Sequence, residues 1–249
     1  MNLNFTFKSF LLIFLSGLYP IIINVPGDYP TIQGALDASQ DGDIIEVGSG
    51  TYTENIIIES GVTLRSSSGA GSTTIDGSGQ TGVMSSTITV RPSSGSATIP
   101  QNIEIDGFTI TGGIGNEMKK QETMPNGSLQ TTIERKGGGI MAYNTSPKVI
   151  NNNINGNGSN SQTSNGGGIV AIDGTEDWSF NDREYEINPE LPPTTDPLDL
   201  SENIFLNNQS HYAKSVYIEG YADLVTDLSG GYFDCFSSEY QAVSEYWVN

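Results

Sequence analysis

The amino-acid sequence predicts an all-β solenoid, a coil of short strands in which each strand stacks on its equivalent in the next turn. Three observations lead there. Stretches of strand character, three to six residues long, recur about every eight to twelve residues, with Gly, Ser or Asn between them. The quartet GGGI occurs at 137–140 and again at 166–169, a step of 29 residues. IEIDGFTITGG (103–113) aligns without gaps on PKVINNNINGN (147–157), placing Ile105 on Val149, Phe108 on Asn152, Ile110 on Ile154 and Gly112 on Gly156. SENIFLNNQ (201–209) reads as a third copy, with Ile204 in the place of Ile154. One turn of such a chain cannot bury its apolar face alone, whereas stacked turns form a continuous apolar column.

The elements follow in order. IIINVP (21–26) is a strand stopped by proline. A short helix is predicted over 31–39, with Thr31 as its cap and Ile32, Ala35 and Leu36 on one face at i, i+3 and i+4. DGD (41–43) turns the chain into the strand IIEV (44–47), and GSGTYTE (48–54) loops into NIIIE (55–59). SG turns into VTLRS (62–66), and TTIDG, TITVRP and NIEIDGFTITGG continue the series. No helix separates the later strands, which excludes a doubly wound α/β fold with helical crossovers. Strand spacing alone also fits a sandwich or barrel; the repeat favours the solenoid. Asn151–Asn153, with Asn155 and Asn157, suit tight bends and stacked amide ladders. Polar stretches near 115–136 and 175–199 interrupt the repeats and read as loop insertions.

Charge narrows the class. The chain holds 29 acidic against 10 basic residues, a net charge of −19. Nucleic acid is excluded as a partner, because its phosphates need a basic footprint. Divalent cations remain open. Cys235 is the lone cysteine, so packing and backbone ladders must hold the fold without an intrachain disulfide. Lys8, the apolar run Phe10–Leu15 and the small residues Ser16 and Gly17 form a secretory signal over 1–20, cleaved between Gly17 and Pro20. That run is too short for a membrane span. The expected organisation is this signal peptide followed by one domain over 21–249. The mature protein is expected to be secreted or at the cell surface, monomeric, and without a membrane span. The aromatic stretch GGYFDCFSSEYQAVSEYWVN carries no polar cap and reads as a C-terminus from which further coils are missing.

The opening residues carry a resemblance. In VPGDYPTIQGALDASQDGDIIEVGSGTYTENIIIESGVTLRS (25–66), one pattern is met by Asp28, Thr31, Ile32, Gln33, Ala35, Leu36 and Ala38. A second is met by Asp41, Gly42, Asp43, Gly50, Tyr52, Glu54 and Ile56. This stretch resembles the start of right-handed parallel β-helix proteins of the pectin lyase-like superfamily, of the secreted bacterial surface type. The resemblance covers roughly 21–220. It implies a right-handed parallel β-helix with a short N-terminal capping helix that plugs the open end of the coil.

Fold does not bring chemistry with it. GTYTE (50–54) resembles the first short motif of pectin methylesterases, but their later aspartate-bearing motifs have no match; QAV (241–243) lies after the repeats. The paired aspartates and Gly-His-Gly of polygalacturonase-like hydrolases are absent, and the single histidine, His211, sits in SHYAK. Pectate-lyase chemistry needs Ca²⁺ to neutralise a uronate and an Arg or Lys base to remove the C5 proton. Basic candidates on the coils are Arg65, Arg91, Lys148 and Lys214; acidic candidates are Glu104, Asp106, Asp173 and Glu219. The acidic, aromatic stretch 173–199 offers Asp173, Glu176 and Asp177 as candidate Ca²⁺ ligands and Trp178 as a sugar platform. Its spacing matches no ordered calcium loop. The sequence therefore reads as a secreted or cell-surface module that associates with extracellular polysaccharide without catalysis, with Ca²⁺ as its candidate cofactor. The alternative is a polysaccharide lyase or pectinesterase-like enzyme whose site departs from the known motifs. An ice-binding face is disfavoured, because TIT occurs only at 87–89 and 109–111.

Overall fold

The computed structural model describes residues 19–79, 82–172, 178–182, 184–188, 190–192, 194, 197–211, 213–219 and 227–233. Strand β1 (Ile22–Val25) and helix α1 (Ile32–Ala38) come first. Strands β2 (Ile44–Val47), β3 (Gly50–Tyr52) and β4 (Ile56–Ile58) make one three-sided coil. The next is β5 (Thr63–Ser66), β6 (Thr73–Asp76) and β7 (Ile88–Val90). The third holds β8 (Glu104–Asp106) and β9 (Thr109–Thr111), then a hairpin of β10 (Asn116–Thr123) and β11 (Leu129–Lys136), then β12 (Ile140–Tyr143). The fourth holds β13 (Lys148–Ile150), β14 (Asn153–Asn155), β15 (Thr163–Asn165) and β16 (Ile169–Ile172). Beyond these come β17 (Trp178–Phe180), β18 (Ile204–Leu206), β19 (Val216–Glu219) and β20 (Tyr232–Phe233).

Equivalent strands pair in parallel from coil to coil. The first side is the sheet β1-β2-β5-β8-β13, the second β3-β6-β9-β14-β18-β20, and the third β4-β7-β12-β16-β19. This all-β stack of parallel sheets is the architecture of a β-solenoid. Its register follows the repeats. Ile45, Leu64, Ile105 and Val149 lie across from one another on the first side, and Ile75, Ile110 and Ile154 on the second. On the third, Ile56, Ile88, Ile140 and Ile169 align. All are buried and belong to one core cluster.

The GGGI quartets stack as their 29-residue step requires. Gly138, Gly139 and Ile140 donate backbone hydrogen bonds to Gly166, Gly167 and Gly168. A Cβ at Gly139 would sit 2.6 Å from the carbonyl oxygen of Gly168, so the close backbone approach requires glycine.

The third copy is shifted by one residue from the sequence expectation. Ile154 pairs with Phe205, and Ile204 pairs with Asn153. Phe205 is fully buried, while Ile204 is 43 % exposed. The amides set this register. Asn152 Oδ1 accepts from the Phe108 amide (2.8 Å), and Asn203 Oδ1 accepts from that of Asn152 (3.0 Å). Asn208 Oδ1 likewise accepts from the Asn157 amide (3.0 Å). The Nδ2 groups of Asn152, Asn157, Asn203 and Asn208 donate to the carbonyls of Ile105, Ile110, Val149 and Ile154. A one-residue slip would turn Phe205 outward and break both ladders.

The insertions are built differently from the loops expected. Residues 116–136 form the antiparallel hairpin β10–β11, and β10 pairs on its other side with β17. This layer covers the outer surface of the third sheet. Met118, Trp178, Phe180 and Tyr185 pack there on Met141, Tyr143, Val170 and Ile172 as a second core.

Two outcomes check this packing. Asn152→Ala leaves the Phe108 amide buried without its acceptor and should cost about 1–3 kcal/mol in urea unfolding. Ile154→Asp puts an unpaired charge into a dry column and should prevent cooperative folding, read from the loss of a thermal transition.

Candidate functional site

The patterns at the start of the chain do structural work. Thr31 caps α1 by accepting from the Gly34 amide, and Ser39 ends the helix. Glu54, from GTYTE, sends both carboxylate oxygens to the amides of Ile32 and Gln33, each at 3.0 Å. Those amides have no partner within the helix, and a carboxylate satisfies them. Gln33 returns across the gap, accepting from the Ile57 amide at 2.7 Å. Tyr52 donates to the Gly48 carbonyl, and Asp43 accepts from the amides of Ile21 and Gln40. These groups bind the plug to the first coil.

Beside that plug lies a polar groove. Two hollows adjoin there, of about 520 and 440 Å³, and share Glu59 and Ser93. Asp41, Thr63 and the segment 96–102 line the larger; Gln33, Asp37, Ser60 and Arg91 line the smaller. The segment reaches the coil because Gly61 leaves room: a Cβ there would collide with the Gln101 carbonyl oxygen. Asp41 holds the same turn by accepting from the Gly61 amide at 2.7 Å. The lining combines hydroxyl, amide and carboxylate groups with the apolar Leu36, Ile57, Ile99 and Pro100, and Arg91 is its cation.

Arg91 is already paired within the groove. Its Nε donates to Glu59 Oε1 at 2.9 Å, and its guanidinium lies 4.1 Å from the Tyr185 ring centre and 5.3 Å from that of Phe180. Tyr185 donates to the Pro92 carbonyl at 3.1 Å. Burial pushes its hydroxyl up to about 12, against the opposing pull of Arg91.

Two of the other basic candidates are paired too. Arg65 bonds Glu46 at 2.7 Å and Lys148 bonds Glu104 at 3.1 Å. Glu104 raises Lys148 above the ordinary lysine range, the opposite of what a base needs near neutrality. Asp106 accepts from Asn151, and Glu219 meets Trp178, Tyr217 and Lys136. Arg65, Lys148, Glu104 and Asp106 lie together on the outer face of the first sheet, Arg65 across from Asp106 and Lys148 across from Glu104, whereas Arg91 and Glu219 belong to the third side. Among the described residues, no three His, Cys, Asp or Glu side chains come together to hold a metal ion.

Asp173, Glu176 and Asp177 lie outside the described residues. Trp178 is 8 % exposed; Lys136 Nζ sits 4.1 Å over its ring, and Nε1 donates to Glu219. Its ring is thus part of the second core and not an open platform. The groove itself was missed. Its signal was the Asp41–Gly42 and Ser60–Gly61 turns, which fall one coil apart and so lie side by side.

No family model matches the chain, and no solved structure matches it. A 93-residue stretch is 34 % identical to a protein named cell surface glycoprotein, from Methanothermus fervidus. The match covers 36 % of this chain and 13 % of that protein. Among the described residues, no helix is long and apolar enough to cross a membrane.

Two outcomes follow. Gly61→Ala should push the 96–102 segment off the coil and lower stability by about 1–3 kcal/mol, with altered amide shifts confined to the groove. Unfolded tyrosine titrates near 10, so the raised folded value makes Tyr185 stabilising below about pH 10, with that stability lost as pH rises toward 12. Urea midpoints between pH 8 and 12 should fall less steeply for Tyr185→Phe.

Proposed function

We propose that the chain is a non-catalytic module of an exported cell-surface protein, and that the groove beside the capping helix binds a neutral polysaccharide. The open polar groove carries this reading. Carboxylates, amides and hydroxyls can share hydrogen bonds with sugar hydroxyls along two adjoining hollows. Its charge selects against uronates. Asp37, Asp41 and Glu59 face it, Arg91 is already paired, and the whole chain carries −19. The similarity to part of a cell surface glycoprotein supports surface placement.

The pectin lyase-like kinship and the right-handed coil belong to the same proposal. The parallel three-sided stack supports them, as does the strong preference of parallel crossovers for the right hand. So does export through residues 1–20, after which the mature chain begins between Leu18 and Ile23 and stays monomeric. The absence of catalysis rests on the pairing of Arg65, Arg91 and Lys148 with glutamates.

Affinity electrophoresis on neutral glucans, xylans and mannans, with polygalacturonate and methylated pectin beside them, tests the reading. Retention is expected on a neutral polymer and not on polygalacturonate. Asp37→Ala and Gln101→Ala, one from each hollow, should each weaken it about 5–10-fold. Unchanged retention in both variants, or release of unsaturated products or methanol, overturns it.

A further inference from the structure

The pattern Asn-x-Ser/Thr occurs at Asn4, Asn126, Asn144, Asn157 and Asn208. It marks an N-glycan acceptor only where the asparagine side chain can leave the fold. Asn4 lies outside the described residues. The structure separates the other four. Asn157 and Asn208 are buried in the amide ladder, their Nδ2 atoms donating to the Ile110 and Ile154 carbonyls at 2.8 Å each. Asn144 is buried at a left-handed bend (φ 50°).

Asn126 is different. It sits at the tip of the β10–β11 hairpin, where residues 121–133 are all exposed. Its Oδ1 accepts from the Ser128 amide at 2.9 Å and from the Ser128 hydroxyl at 2.7 Å. Gly127 is left-handed (φ 81°), and the Ser128 carbonyl closes the turn by accepting from Met124. The asparagine amide and the hydroxyl two residues on are therefore already together on an exposed turn. The same hairpin exposes Met124, Leu129 and Ile133, apolar surface that a glycan at the tip would shield.

We propose that Asn126 is an N-glycosylation site, the one used by the folded chain among its described Asn-x-Ser/Thr sites. This rests on the exported, cell-surface reading for its occurrence in the cell, but not for its chemistry. The donor is an oligosaccharide joined through phosphate to a membrane lipid. Asn126 Nδ2 forms a bond to the anomeric carbon, the carbon–oxygen bond to phosphate breaks, and the electron pair leaves with the lipid phosphate. The amide gives up one proton, and nothing is oxidised or reduced.

The test uses the purified folded chain, an oligosaccharyltransferase and a lipid-phosphate-linked oligosaccharide. One glycan mass per chain is expected, mapped by peptide mass to Asn126. It should be abolished in Asn126→Gln and in Ser128→Ala, whose thermal unfolding should match the parent because the tip is exposed. No mass gain on the parent, or a gain that persists in Asn126→Gln, overturns the proposal. Because donor and transferase are supplied, a failure of export leaves this result intact. Export is read separately, from the N-terminus of protein recovered outside the cell.

Discussion

Each coil of this protein is fixed by one requirement, that its inward side chains meet their equivalents in the coils on either side. Ile75, Ile110 and Ile154 show it on the second side, and Ile56, Ile88, Ile140 and Ile169 on the third. Apolar burial supplies most of the driving force, about 25 cal/mol per Å² removed from water. It is indifferent to small slips among similar side chains, however. The corners remove that freedom. The Asn152–Asn203 and Asn157–Asn208 amides each satisfy backbone groups in the neighbouring coil, so a shifted coil would bury them unpaired.

The groove depends on both layers. Its outer wall, the segment that follows Arg91, is tied to the covering layer as well as to the coil. Gly95 donates to the Glu186 carbonyl at 2.8 Å, Ser94 Oγ accepts from the Glu186 amide at 2.9 Å, and Pro92 accepts from Tyr185. Gly61 sets how closely that wall approaches. The shape of the hollows is therefore set jointly by a turn of the first coil and by residues more than a hundred positions later.

Much of this was legible. Thr31, Ile32, Ala35 and Leu36 announced the capping helix, and the GGGI step gave the pairing of Ile140 with Ile169. The third copy went astray because Ile204 and Phe205 are adjacent and both apolar. Only the Asn203 and Asn208 positions, 51 residues after Asn152 and Asn157, distinguish the registers. The covering layer was hidden by its polar composition. Yet IMAY and IVAI carry four apolar residues in a row, and a strand buried on both faces reads that way. The groove was least visible, because its walls come from distant segments and its residues are ordinary turn formers.

The covering layer lies over β12 and β16, through Met141, Tyr143, Val170 and Ile172, and it grips only some of the coils. In a stack where each unit touches its neighbours alone, stability is close to a sum of local interfaces. Coils with a second interface sit deeper in that sum than coils with one. The described chain is thus graded lengthwise, like a rod sleeved over part of its length. Fraying begins in the unsleeved turns and stalls where the aromatic layer takes hold.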